Sequence, residues 1–119
     1  MTINNLDLKE EVSILMNCYN GEKFLKESIE SVFKQSHTNW KIFFVDNCSE
    51  DASEEIAKSF GPKIHYLRTK KNVSLAEARA FGIRECKGKY LMFLDVDDRY
   101  QPDTIKILLN EIKHSDYLA

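Results

Sequence analysis

Glycine and proline are scarce in this chain, four and two among 119 residues, and no Gly-x-Gly-x-x-Gly turn or Gly-Lys-Ser/Thr loop is present. Neither a dinucleotide fingerprint nor a P-loop is therefore supported. The three cysteines, Cys18, Cys48 and Cys86, are odd in number and far apart, which argues against a disulfide framework and a zinc ribbon and for a reduced, cytoplasmic setting. His37, His65 and His114 lack metal-ligand spacing. No window approaches the ~20 apolar residues of a membrane span, and the polar segment 1–11 has no apolar signal core. With a net charge of −2, and neither a basic stripe nor an interleaved aromatic run, no nucleic-acid partner is expected. Internal repeats, linkers and low-complexity segments are absent too.

What the chain does hold is one domain's worth of ordinary globular composition, 43% hydrophobic and 30% charged. Val12–Met16 is a compact apolar run ending at the polar turn Asn17-Cys18-Tyr19-Asn20-Gly21, and reads as a first strand. Phe24, Leu25, Ile29, Val32 and Phe33 recur at helical spacing opposite a charged face, predicting a helix to about Gln35. Trp40–Val45 is the second strand, followed by Asp46–Asp51. Asp51 to Glu54 has the spacing to cap a helix carrying Ile56, Ala57 and Phe60, stopped by Gly61-Pro62. Ile64–Thr69 is a third strand. Ser74-Leu75-Ala76-Glu77 is a capping box that opens a helix through Ala80 and Ile83, with Gly88 as its stop.

Tyr90–Leu94 then reads as a short strand buried on both faces, opening into Asp95-Val96-Asp97-Asp98. Asp95 and Asp97 are two apart, so extended backbone turns both carboxylates to one side, where they can share a divalent cation with Asp98 beside them. An EF-hand is ruled out by Arg99 and Tyr100 at its fifth and sixth positions. The bland alternative is an ordinary Asp-rich turn leading into a helix entered at Pro102, with Ile105, Leu108, Leu109 and Ile112 on its apolar stripe. Ser115–Ala119 resembles the opening of a further strand. Strands alternating with helices predict an α/β fold: a doubly wound, mainly parallel sheet with helices on both faces. Ligands of such sheets bind at the carboxyl ends of the strands, which gathers the loops after strands one, two and four on one edge.

Those loops, in order, resemble the nucleotide-binding portion of family 2 glycosyltransferases of the Rossmann-like GT-A fold. The resemblance is carried by Val12-Ser13-Ile14 with Tyr19-Asn20, Gln35-Ser36-His37 with Trp40, Val45 to Asp51, Asn72 with Ala78-Arg79, and Gly88-Lys89-Tyr90 through Asp98, and it spans residues 12–119. It implies an inverting transferase that moves a sugar from a nucleotide-diphosphate sugar to a glycan or lipid-linked acceptor, in bacterial surface glycan or polysaccharide synthesis. By position it implies that Asn17, Cys18, Tyr19 and Asn20 line the base and ribose pocket. It also implies that Asp46 and Asn47 hydrogen-bond base and ribose, that Arg79 lies by the nucleotide, and that Asp97 with Asp95 holds Mg²⁺ or Mn²⁺. The acceptor site and the catalytic base are expected beyond Ala119, so the domain reads as truncated. Membrane association is expected through regions outside this chain, and homo-oligomers are compatible with it. Asn17 stands where the family commonly has Pro, and Asn47 where it often has a second Asp.

Competing readings remain at the level of sequence. Tyr19 could pack on the first helix, Arg79 could be a solvated helix residue near Glu77 or Glu85, Asp46 and Asp51 could be turn residues, and Cys18 and Cys48 could be small packing residues. A non-catalytic nucleotide-binding or interaction module would keep the same loops. A haloacid-dehalogenase-like phosphohydrolase would use Asp95 and Asp97, though it carries that pair after its first strand.

Overall fold

Four strands and four helices alternate along residues 10–113, the part of the chain that the computed structural model describes. β1 (Val12–Cys18), β2 (Trp40–Asp46), β3 (Ile64–Arg68) and β4 (Tyr90–Phe93) are parallel and lie in the order β3-β2-β1-β4. Between and after them run α1 (Glu22–Phe33), α2 (Ser53–Ser59), α3 (Leu75–Ile83) and α4 (Thr104–Lys113). The chain steps outward from β1 to β2 and β3, then crosses back to set β4 on the other side of β1. Strand order therefore reverses at β1, the position where open α/β sheets form ligand crevices.

The period-two alternation of strand side chains divides the core. Val12, Ile14, Met16, Ile42 and Phe44 face one side, where Leu25, Ile29 and Val32 of α1, Ala57 of α2, and Ile105 and Leu109 of α4 close over them. Leu15, Phe43 and Val45 face the other, beneath Ala78 of α3. Because β1 and β2 are covered on both sides, their sequences are continuous apolar runs rather than alternating ones. α3 reaches the sheet through small residues: at Gly82 a Cβ would lie 2.4 Å from Leu15 Cδ1 and 2.7 Å from Val45 Cγ2. The expected doubly wound sheet, with helices on both faces, is the one observed.

Several local expectations are corrected. β4 is an edge strand among the described residues, and its second face is open, with Leu91 and Phe93 40% and 48% exposed. Its apolar sequence matched a buried strand, but periodicity does not say which neighbours a strand has. Gly88 does not stop α3, which ends at Ile83 with Arg84 as its cap. A Cβ at Gly88 would instead meet Glu11 O at 2.7 Å and Ser13 N at 2.8 Å, so this glycine lets the chain entering β4 lie against β1. α1 ends at Phe33, short of Gln35, and buries Ser28 with Leu25, Ile29 and Val32 while Phe24 and Phe33 stay partly exposed. In α3 the buried positions are Ala78 and Gly82. The capping box at Ser74 is half formed: its hydroxyl accepts from Glu77 N at 3.2 Å. No such box opens α2, whose cap is Ala52. Most of the polar amino-terminal segment and the strand expected at Ser115–Ala119 lie outside the described residues.

Candidate functional site

At the carboxyl edge of the sheet the loops after β1 and β2 are stitched into one unit. Asn20, with φ 50°, receives Glu50 N on its side-chain oxygen at 2.8 Å, and its own N–H donates to Ser49 Oγ at 2.8 Å. Gly21 N donates to Ser53 Oγ at 3.0 Å, and Glu22 N to Asp51 Oδ2 at 3.1 Å. Asp51 also accepts from Ser53 N at 2.9 Å. Desolvation pushes the Asp51 carboxyl upward, but the hydrogen bonds from Ser53 and Glu22 outweigh it and hold the group below the usual carboxylate range. These contacts answer the amino-terminal N–H groups of α1 with oxygens from the facing loop and that of α2 with Asp51 of its own loop, in place of conventional caps.

Asp46 is the buried centre of the second loop, 0% exposed. Its Oδ1 accepts from Ser49 N at 2.8 Å, a reach made possible by the left-handed Cys48 at φ 61°. Its Oδ2 accepts from Tyr66 Oη at 2.5 Å and from Arg68 Nη1 at 3.0 Å. Burial, then the Asp46 carboxylate, push the Tyr66 phenol well above its ordinary range, so it stays protonated and donating. Asn47 is similarly engaged. Its oxygen accepts from Val73 N at 2.9 Å and Thr69 Oγ1 at 3.1 Å, while its nitrogen donates to Val73 O at 2.7 Å. Val73 thus fixes which end of the amide is which. The structure places both residues as organisers of the loop walls: Asp46 presents no oxygen to solvent, and Asn47 presents only its rim.

A cleft of about 160 Å³ opens between these loops and α3, lined by Asn17, Cys18, Tyr19, Asn47, Leu75 and Ala78. Four of the expected pocket residues therefore meet in one place. Tyr19, which lines the cleft, is 55% exposed. Asn17 Oδ1 lies buried with no hydrogen-bond partner. Cys18 is buried, and desolvation raises its thiol, which leaves it an unreactive packing group. Asn20 does not line this cleft; it is committed to joining the two loops. Larger hollows exist, one of about 730 Å³ near His37 and Lys106, but that one lies by the amino ends of β1 and β2, away from these loops.

Arg79, next to Ala78 on α3, connects the cleft to the acidic loop. Its Nη2 lies 3.6 Å from Asp95 Oδ1 and its guanidinium carbon 5.7 Å from the centre of the Phe93 ring. It is thus paired with Asp95 rather than with Glu77 or Glu85. Asp95, Asp97 and Asp98 are exposed and bring carboxylate oxygens within 4.8 Å of one another. Two oxygens on opposite sides of a Mg²⁺ ion would stand roughly 4 Å apart, so the donor set is of the right kind and nearly the right span for such a cation. Sequence reasoning missed what holds this loop. Ser28 Oγ donates to Asp98 O at 2.6 Å, Ser31 Oγ accepts from Tyr100 N at 3.0 Å, and Gln35 bridges Gln101 O at 2.6 Å and Ile105 N at 3.0 Å. Ser28, Ser31 and Gln35 form an i, i+3, i+7 polar stripe beside the apolar one, the signal that could have revealed it. Tyr100 donates to Phe93 O at 2.6 Å, its phenol pushed up to about 12 by burial and then by Asp95.

The arrangement has counterparts. Residues 13–119 match the family described as Glycosyl transferase family 2. An uncharacterized glycosyltransferase of Rickettsia prowazekii (strain Madrid E) is 39% identical over 111 residues, covering 91% of this chain and 35% of its own length. TuaG of Bacillus subtilis (strain 168), provisionally assigned to teichuronic acid biosynthesis, is 31% identical over 101 residues, covering 82% of this chain and 40% of its own. The chain thus spans between a third and two fifths of these two relatives. Among solved structures, S. aureus TarS in complex with UDP superposes with a TM-score of 0.82 at 24% identity over 87% of this chain and 32% of its own. The mannosyltransferase PcManGT of Pyrobaculum calidifontis, in complex with GDP-Man and Mn²⁺, gives 0.74 at 17% identity, over 86% and 31%. The fold is therefore that of the GT-A glycosyltransferases, and the chain belongs to glycosyltransferase family 2.

Proposed function

We propose that this chain forms the donor and metal side of an inverting glycosyltransferase that takes a sugar from a nucleoside-diphosphate sugar and passes it to a glycan or lipid-linked acceptor in surface polysaccharide synthesis. The observation that carries the reading is the convergence at one sheet edge of the 160 Å³ cleft, Arg79 and the three carboxylates. Tyr19 offers a flat aromatic face for a base, and the unpartnered Asn17 oxygen offers an acceptor. Asp46 acts from behind, keeping loop 46–51 in shape, and Asn47 does the same for loop 69–73 while bordering the cleft. Arg79 holds a fixed positive charge beside the place where a diphosphate would lie, and keeps Asp95 oriented. Asp97 and Asp95, with Asp98, would hold Mg²⁺ or Mn²⁺, which when bound neutralises the charge that develops on the departing diphosphate. The base that activates the acceptor hydroxyl is proposed to come from a segment outside this chain. The bound ligands named for TarS and PcManGT, and the assignment of TuaG, support the donor class and the polysaccharide setting.

Mn²⁺ titration followed by electron paramagnetic resonance tests the metal half. Free-Mn²⁺ signal is expected to fall on adding the protein with UDP or GDP, and to recover in Asp97→Ala and Asp95→Ala. Equal Mn²⁺ uptake by wild type and both variants would remove the acidic loop from the metal site.

A further inference from the structure

Charge is unevenly distributed along this chain in a way that only the fold makes plain. Residues 68–89 contain seven Lys or Arg against Glu77 and Glu85, a local net charge of +5 in a chain whose total is −2. The cations are dispersed over the end of β3, the loop after it, α3 and the turn beyond, so the sequence alone shows no basic stripe. In the folded chain, Arg68, Lys70, Lys71 and Arg84, with Glu77 as the one acidic side chain among them, rim a groove of about 490 Å³ floored by Val73, Ala80 and Phe81. Lys70, Lys71 and Arg84 are exposed, and none of them belongs to an ion pair among the described residues. Arg79, by contrast, turns to the acidic loop and is no part of this face.

We propose that the groove between the end of β3 and α3 is a docking surface for anionic lipid headgroups of a bilayer, with Lys70, Lys71 and Arg84 as its electrostatic contacts. Unpaired cations around an apolar floor suit an interface where phosphates are dispersed and acyl chains lie just beneath. A nucleic acid would call for stacking aromatics among the cations, and here the one aromatic in the groove, Phe81, is partly buried in the floor. An attraction of this kind is additive to first order in the number of basic side chains, roughly five-fold in partitioning for each.

Co-sedimentation with phosphatidylcholine vesicles, with and without phosphatidylglycerol, tests the proposal on the full chain. Binding is expected only with phosphatidylglycerol, and is expected to vanish at about 1 M salt, where the screening length falls to about 3 Å. The triple variant Lys70→Gln, Lys71→Gln, Arg84→Gln should weaken it on the order of 100-fold. An equal charge change along α1 and at its carboxyl cap, Lys23→Gln, Lys26→Gln and Lys34→Gln, should leave most of it, and matching thermal melts for both variants would show that folding is intact. No binding to anionic vesicles, equal loss in both triple variants, or tighter binding to a single-stranded oligonucleotide than to the vesicles would each overturn it.

Discussion

Asn47 grips the loop at residues 69–73 by both ends of its amide, accepting from Val73 N and donating to Val73 O. An aspartate there could still accept but would set a carboxylate oxygen against the Val73 carbonyl. Asn47→Asp is therefore expected to lower stability by about 1–3 kcal/mol, read as a lower urea midpoint, because a buried acceptor is left without its donor. An unchanged midpoint would mean that the loop does not depend on this pair. Asp51 makes a prediction about pH. Its folded carboxyl titrates below its ordinary value of 3.8, so the charged form is favoured by folding. Its contribution to stability is present above that value and is lost as pH falls through the lower, folded value. Wild type should exceed Asp51→Asn in urea midpoint near neutrality, and the gap should close below about pH 4. These roles were only partly legible in the sequence. Acidic and amide residues after a strand announce a polar loop, but whether each faces ligand or a neighbouring backbone depends on contacts with Tyr66, Arg68 and Val73, twenty or more residues away.

At the scale of elements, α1 is both a core helix and the support of the acidic loop. Leu25, Ile29 and Val32 cover the sheet, and Ser28, Ser31 and Gln35 answer the backbone of residues 95–105. Gln35 is nearly fully buried, donating to Gln101 O and accepting from Ile105 N. Gln35→Leu keeps the bulk but removes both bonds, so a loss of about 1–3 kcal/mol is expected, together with weaker Mn²⁺ uptake as the carboxylates lose their common geometry. Stability loss with Mn²⁺ uptake unchanged would separate the loop from its support. The strands and helices themselves were legible, because apolar runs and 3.6-residue stripes are properties of neighbouring positions. The stops were less so: Gly88 looked like a helix terminator, whereas its small size serves an approach to Glu11 and Ser13 that lies over seventy residues away in sequence.

Over the whole molecule, the parallel order β3-β2-β1-β4 places the carboxyl ends of β1, β2 and β4 side by side, and this brings Asn17, Tyr19, Asn47, Arg79 and Asp95 to one edge. Alternation of strands and helices was enough to predict that gathering. It could not predict that β4 would stand at the edge of the described sheet, since its composition is that of an interior strand. The central claim is that the cleft and the acidic loop form a single donor site, and calorimetric titration of UDP, GDP and TDP with and without Mn²⁺ addresses it most directly. One of the three nucleotides is expected to bind in a Mn²⁺-dependent manner, with affinity reduced at least ten-fold, about 1.4 kcal/mol, by either Asp97→Ala or Arg79→Met. Nucleotide binding that ignores Mn²⁺ and survives both substitutions would contradict it.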